Sequence, residues 1–245
     1  MTASSEPGFL SKSMLLARKD LRIEYRAKET LPPMLAFAFA VTLLLSFALP
    51  GESELSAPVE VPGVGTVPLP DVISGFLWVT ILFAGLIGFA RTFESERDDG
   101  AIDSLLMLPV DRSALWLGKT VANLTFIVAI QLFLVPLFAL LFGFQLGPTW
   151  PVLLLVIALV DVAFVAVGTL FASVAAQTRS RELMLPILAL PALVPVFIAA
   201  VELCSDIFVG RFVGTVAGSG WFAILLAADV VFTTVAVLAF EFVIE

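Results

Sequence analysis

Histidine is absent from this 245-residue sequence, and charged residues make up only 14% of it. Soluble domains carry roughly 25% charged residues, so most of this protein's surface must face something other than water. The lack of histidine removes the usual general base and a common ligand of zinc and haem iron. The single cysteine, Cys204, excludes an internal disulfide and a multi-thiolate metal site. With 13 basic residues against 21 acidic ones, an extended nucleic-acid-binding face is also excluded.

Apolar sequence is what the chain has in abundance. Hydrophobic residues make up 60% of it, and the mean hydropathy is +1.08. A membrane about 30 Å thick is crossed by roughly 20 apolar residues in a helix. The stretches that meet this requirement are 31–49, 72–90, 121–142, 150–174, 183–203 and 221–243. The sequence therefore predicts an all-α integral membrane protein with six transmembrane helices.

The basic residues predict the orientation of these spans. All but one of the 13 lie before the first span, between spans two and three, or between spans four and five. They are Lys12, Arg18, Lys19, Arg22, Arg26, Lys28, Arg91, Arg97, Arg112, Lys119, Arg179 and Arg181. Because loops rich in lysine and arginine stay in the cytoplasm, we expect both termini to be cytoplasmic. Arg211 alone lies on the other side.

Two regions are expected: a cytoplasmic N-terminal segment, residues 1–30, and a transmembrane domain, residues 31–245. In the first, apolar residues recur every three or four positions at Leu10, Met14, Ala17, Leu21 and Tyr25. This spacing predicts an amphipathic helix that lies in the membrane interface. The alternative is a solvated basic segment that only fixes the orientation. Residues 50–70, on the outer side, are rich in proline and glycine and predict a short flap or an extended loop.

The loop between spans two and three is unusually long, at about thirty residues, where a connector commonly needs only a few. It begins with a dense charged segment that ends in glycine: Glu94, Glu96, Arg97, Asp98, Asp99 and Gly100. Composition leaves two interpretations open, a docking segment for a cytoplasmic partner or a solvated connector. The loop also ends in Leu117–Thr120, which resembles the end of a phosphate-binding loop. The first glycine of that motif and its preceding strand are missing, so we expect no ATP site in this chain.

Several polar residues and prolines lie within the predicted spans. Gln131, Asp161 and Asp229 lie within the predicted spans. Inserting a carboxylate at the centre of a membrane costs about 2.5–3.5 kcal/mol, so we expect these polar side chains to face protein or water. They could form a polar path or simply lock the packing of neighbouring helices. Span five contains Pro186, Pro191 and Pro195, each of which removes an amide donor and is expected to bend the helix. Gating and packing remain equal explanations for these bends.

Three motifs carry a resemblance to a known family. They are Lys19–Glu29, Phe93–Gly100 with Leu108–Lys119, and Ser180–Pro186 with the later prolines of the same span. Together with the six spans they resemble the CcmB family, the haem exporter permeases of cytochrome c maturation, within the ABC-2 (type V) class of transporter permeases. The resemblance covers essentially the whole chain, although residues 50–70 match no family pattern.

The resemblance implies a non-catalytic subunit in the cytoplasmic (inner) membrane. It implies that residues 94–100 form a coupling segment that docks on a CcmA-like ATP-binding subunit. It also implies CcmC-like and small CcmD-like membrane partners, a second permease copy, and ATP-driven haem export or release of a haem-loaded chaperone. No cofactor is expected to be bound directly, since Tyr25, Cys204 and five methionines are the only common axial ligands present.

Two alternatives belong to other functional classes. The first is a general ABC-2 exporter of a lipid, drug or glycan, which is favoured if only the coupling segment matches the family. A proton-linked secondary transporter would use Asp161 and Asp229, but it would leave the charged loop unexplained.

Overall fold

The computed structural model describes residues 8–49, 59–61, 65–93, 112–143, 149–178, 181–209, 214 and 218–243. Long helices dominate these residues. They are α1 (Phe9–Ala27), α2 (Leu31–Ala48), α3 (Leu69–Arg91), α4 (Arg112–Phe142), α5 (Trp150–Ala176), α6 (Arg181–Phe208) and α7 (Gly220–Val243). The six helices α2 to α7 are long and apolar enough to cross a membrane, which confirms the predicted all-α architecture.

Helix bounds differ most from prediction in α4. The predicted span covers residues 121–142, whereas α4 is continuous from Arg112 to Phe142 and so includes the end of the long loop. Its 31 residues extend over about 46 Å, more than the apolar thickness of a membrane. At least one end of α4 therefore extends beyond the hydrocarbon. Helix α3 begins at Leu69 rather than at residue 72, because Pro70 is well tolerated in a first turn.

The bundle has two ends. The end at which α1 lies is called the α1 end; α3 and α5 finish there, and α4 and α6 begin there. The hairpin end carries a two-stranded antiparallel sheet of β1 (Val59–Val61) and β2 (Gly65–Val67), with Val59 opposite Val67. This sheet is the described part of the segment predicted as a flap or an extended loop. Helix α5 lies centrally and packs against α3, α4, α6 and α7, whereas α2 and α7 are mostly exposed at the periphery.

Glycines allow the central helices α3 and α5 to approach each other closely. A Cβ atom on Gly168 would lie 2.2 Å from a ring atom of Phe89, and one on Gly85 would lie 2.4 Å from the Phe164 ring. The two rings themselves pack edge to face, with their centroids 5.0 Å apart. Each helix thus inserts a phenylalanine over a glycine of the other, which fixes their register.

Helix α1 packs against α4 through its small residues. Ser13 and Ala17 are buried there, while Leu10, Met14 and Tyr25 of the predicted apolar face are exposed. The amphipathic helix therefore exists, but its large apolar side chains do not pack inside the bundle. Their exposure fits the expected contact with a membrane interface, which remains a prediction.

Prolines occur inside two of the long helices. Pro186, Pro191 and Pro195 all lie within α6, which is one helix from Arg181 to Phe208. Pro191 and Pro195 are exposed on the outside of the bundle. Pro136, which the sequence reasoning overlooked, lies similarly in α4. The gating and packing explanations of these prolines both remain open.

Candidate functional site

A network of polar side chains joins four helices at the α1 end. We call it the junction network and define it as Asp20 (α1), Thr92 (after α3), Lys119 and Asn123 (α4), and Thr169 (α5). Lys119 and Asn123 are four residues apart on α4 and therefore lie on the same face. The network connects the helices on either side of the long charged loop.

Lys119 is the centre of this network. Its ammonium nitrogen lies 3.0 Å from Oδ2 of Asp20 and donates a 3.0 Å hydrogen bond to the carbonyl of Thr92. It also lies 5.3 Å from the centroid of the Phe93 ring. Lys119 is only 4% exposed, and a charge that is so buried must be paired and hydrogen-bonded to be tolerated. These contacts join α1 to the end of α3 through a single α4 side chain.

Asn123 extends the network to the central helix. The Thr92 hydroxyl donates to Oδ1 of Asn123 at 3.1 Å, and Nδ2 of Asn123 donates to Oγ1 of Thr169 at 2.9 Å. Both Asn123 and Thr169 are buried. A movement of the end of α3 is therefore resisted by α1, α4 and α5 together.

Gly118 lets α1 dock close to Lys119. A Cβ atom at this position would lie 2.8 Å from Cβ of Leu16 and 3.0 Å from the carbonyl oxygen of Ser13. Gly118 and Lys119 thus lie inside α4, at the place where α1 packs against it. This arrangement agrees with the rejection of a phosphate-binding loop from the sequence.

Glu24 forms the elbow between α1 and α2. Helix α1 ends at Ala27, its C-cap Lys28 has a left-handed φ of 55°, and α2 begins three residues later at Leu31. The Glu24 carboxylate accepts hydrogen bonds from the backbone N–H groups of Thr30 and Leu31, at 3.0 and 2.8 Å. It therefore satisfies amides at the start of α2 that have no partner within the helix.

The proposed coupling residues from Glu94 to Gly100 lie outside the described residues, as does the rest of the loop to residue 111. Their described neighbours are Phe93 on one side and Arg112 on the other. Phe93 contacts Lys119, and Arg112 begins the helix that carries Lys119. The junction network therefore contacts the described residue that precedes this loop and includes two residues of the helix that follows it.

A second polar group lies inside the bundle. Nε2 of Gln131 on α4 donates a 2.7 Å hydrogen bond to Oδ1 of Asp161 on α5, and both side chains are buried. The structure thus brings together two of the three predicted intramembrane residues. The carboxyl group of Asp229 on α7 instead reaches the backbone of Ala163. Its Oδ1 atom is buried without a hydrogen-bond partner among the described residues.

At the hairpin end, hydrogen bonds tie α3 to α6. The Ser205 hydroxyl donates to the Asp71 carboxylate, and Nε1 of Trp78 lies 3.2 Å from the thiol sulfur of Cys204. Ser74 donates to the carbonyl of Val201 at 2.9 Å. Cys204 is fully buried in this contact. In the described part of the chain, histidine, cysteine, aspartate and glutamate form no cluster of three that could hold a metal ion.

Sequence reasoning missed the junction network because its members come from four separate segments. A partial signal exists, since Lys119 and Asn123 lie four residues apart at the start of an apolar run. The spacing indicates a shared polar face, but nothing in the sequence identifies Asp20, Thr92 or Thr169 as the partners.

The six long apolar helices, their buried polar contacts and their packing define a multi-pass α-helical membrane protein. Comparison with known families then identifies the family. The family model described as "CcmB protein" matches residues 11–245, and the chain belongs to this family. This membership confirms the resemblance inferred from the three sequence motifs.

Individual relatives agree with this assignment. Heme exporter protein B of Pseudomonas aeruginosa is 29% identical over 186 residues, which cover 76% of this chain and 77% of the relative. The protein of the same name from Rhodobacter capsulatus is 29% identical over 188 residues, covering 77% and 80%. That of Paracoccus denitrificans is 30% identical over 192 residues, covering 78% and 80%. These findings do not favour the general exporter or the proton-linked transporter.

Proposed function

We propose that this protein couples ATP hydrolysis in a separate subunit to haem export, or to release of a haem-loaded chaperone, during cytochrome c maturation. Membership of the CcmB family makes it a membrane permease subunit of a haem export system. The relatives bear the name Heme exporter protein B. We propose in addition that a partner subunit uses the ATP and that this subunit is not catalytic.

The junction network is the observation that carries the coupling step. A segment that receives force from a partner must be connected rigidly to the helices that it moves. Lys119 contacts α1 and the end of α3 while being part of α4, and Asn123 continues the connection to α5. Force applied to residues 94–111 would therefore reach four helices through short, buried contacts.

The orientation and partners follow from the same proposal. The α1 end would be cytoplasmic, with both termini on that side of the inner membrane. Residues 94–100 would dock on a CcmA-like ATP-binding subunit. CcmC-like and CcmD-like proteins and a second permease copy would complete the assembly. Haem would be a cargo of the complex, not a resident cofactor of this chain.

The pair of Gln131 and Asp161 fits a packing role better than a path through the membrane. Each is buried, and their 2.7 Å hydrogen bond directly joins α4 to α5. A polar side chain in hydrocarbon is tolerated when it is paired with another one. We therefore propose that this pair locks the two helices together.

Co-purification tests the docking step. The full chain would be produced with its ATP-binding subunit, either unchanged or with the triple substitution Glu94→Lys, Glu96→Lys and Arg97→Glu. Since opposed like charges at an interface cost several kcal/mol, we expect about a hundredfold less bound ATP-binding subunit. The bound subunit would be quantified after affinity capture of the permease.

Glu202→Lys provides the matched control. Glu202 is exposed at the hairpin end of α6, so its reversal changes charge without touching the loop. This variant should retain the ATP-binding subunit fully. Full retention by the triple variant would show that residues 94–97 are not the docking segment. If the unchanged chain captured no ATP-binding subunit, the coupling proposal would be wrong as a whole.

A further inference from the structure

A cleft of about 440 Å³ opens beside the junction network, between α1, the α1–α2 elbow and the facing sides of α3 and α4. Its size falls within the range of about 300–1,000 Å³ that is common for small-molecule sites. One face of α1 and one face of α4 form its long walls. These faces contribute Asp20, Ile23, Glu24, Ala27, Lys119, Ala122, Asn123 and Phe126.

Both signs of charge line this cleft. Asp20 and Lys119 pair with each other across it, at 3.0 Å. The other charged lining residues are Arg91, at the end of α3, and the carboxylates Glu24 and Glu29 near the elbow. Arg91 and Glu29 are exposed, so they lie at the mouth of the cleft. The cleft therefore presents a guanidinium group from the end of α3 and carboxylates from α1 and the elbow.

The position of the cleft matches the level of lipid headgroups. Arg91 is the last residue of the apolar spanning helix α3, and Glu24 caps the first turn of the spanning helix α2. Next to these charges the lining includes the apolar residues Gly88, Ala122 and Phe126, and Asn123, whose amide is bonded to Thr92 and Thr169. A molecule with a zwitterionic head and a hydrocarbon tail would match both parts of the lining.

We propose that this cleft binds a phospholipid with a phosphoethanolamine headgroup. Arg91 contacts the phosphate, which its planar guanidinium can recognise with one or two of its five N–H donors while the others keep partners within the protein. The primary ammonium group donates to Glu29 and Glu24. A phosphocholine head has no N–H to donate, and an anionic phosphoglycerol head meets unfavourable carboxylates. The site therefore selects phosphoethanolamine over both.

Native mass spectrometry of the purified full chain tests this selection. The protein would be exposed in detergent to an equimolar mixture of phosphoethanolamine, phosphocholine and phosphoglycerol lipids with identical acyl chains. Because a hydrogen bond to a charged group contributes about 1.5 kcal/mol or more, we expect roughly tenfold preference for phosphoethanolamine over phosphocholine. The experiment needs no ATP-binding subunit, so its outcome is independent of the proposed function.

Variants distinguish the guanidinium group of the cleft from its carboxylates. Glu29→Gln, at an exposed position where folding is not at risk, should reduce the preference for phosphoethanolamine over phosphocholine severalfold. Arg91→Gln should weaken retention of both lipids. Arg22→Gln, on an exposed part of α1 outside the cleft, should change neither. Equal retention of phosphoethanolamine and phosphocholine, preferred retention of phosphoglycerol, or an unchanged preference in Glu29→Gln would each overturn the proposal.

Discussion

Replacing Lys119 by methionine is expected to destabilise the protein strongly. Methionine keeps most of the length of the side chain but removes the charge and all three N–H donors. The side chains of Lys119 and Asp20 are only 5% and 14% exposed, and their charged atoms lie 3.0 Å apart. The substitution leaves the largely buried Asp20 carboxylate with the more exposed Lys19, whose Nζ lies 3.4 Å from Oδ1, and it also removes the hydrogen bond to the Thr92 carbonyl.

The expected loss is about 3–5 kcal/mol in the free energy of unfolding, the usual cost of breaking a buried ion pair from one side. The direct attraction alone is about 5.5 kcal/mol at an effective dielectric constant of about 20, which is of the same order as that loss. Replacing both partners, as Asp20→Leu with Lys119→Met, also removes the carboxylate that has lost its buried cation. The double variant should recover most of the loss. Its free energy of unfolding should lie within about 2 kcal/mol of that of the unchanged chain.

Unfolding in mixed detergent micelles, followed by tryptophan fluorescence, would measure these differences. Arg18→Met is the matched control, because Arg18 is exposed on α1 and its replacement should change stability by about 0.5 kcal/mol or less. A loss below about 1 kcal/mol in Lys119→Met would refute the reasoning, because a buried ion pair broken from one side costs more than that. So would a double variant that is less stable than Lys119→Met alone.

Other substitutions test helix packing. Gly118→Ala should weaken docking of α1 and cost about 1–3 kcal/mol through overpacking, and faster proteolysis of α1 would reveal it. Gly168→Ala displaces the Phe89 ring at the α3–α5 contact and should cost a similar amount; an unchanged unfolding midpoint would contradict this. Gln131→Leu leaves buried Asp161 without its amide partner and should destabilise, whereas Gln131→Leu with Asp161→Leu should restore stability and keep cytochrome c maturation intact. Lost maturation in a stable double variant would favour a polar path over packing.

Much of the fold was accessible from the sequence because hydrocarbon imposes a simple length rule on apolar helices. The six spans were predicted near their observed positions, and the family assignment from three motifs is confirmed. The predicted span begins only at residue 121, because Arg112, Ser113, Lys119 and Thr120 make the preceding residues less apolar than a span requires, whereas α4 already begins at Arg112. Packing of α1 against Gly118 stabilises these turns as a helix, and that contact is between distant segments.

The candidate site was less predictable. Gln131 and Asp161 were singled out individually because polar groups in apolar spans are costly, but their pairing depends on the relative rotation of α4 and α5. Asp229 was singled out on the same ground and does not join them by a hydrogen bond in the described residues. Lys119 was noted as a basic loop residue, as part of a family motif and within a false nucleotide motif, but not as a buried ion-pair partner. Its role depends on partners 27 and 99 residues away in the chain, Thr92 and Asp20.

Haem staining of membrane proteins tests the central claim most directly. The strain that naturally carries this chain would be compared with a deletion strain, and with the deletion strain expressing either the unchanged chain or the Glu94→Lys, Glu96→Lys, Arg97→Glu variant. If the chain is the permease subunit of a cytochrome c maturation system, the deletion removes all covalently haem-stained bands. The unchanged chain restores them and the variant does not. Persistence of c-type cytochromes at wild-type intensity in the deletion strain would contradict the account.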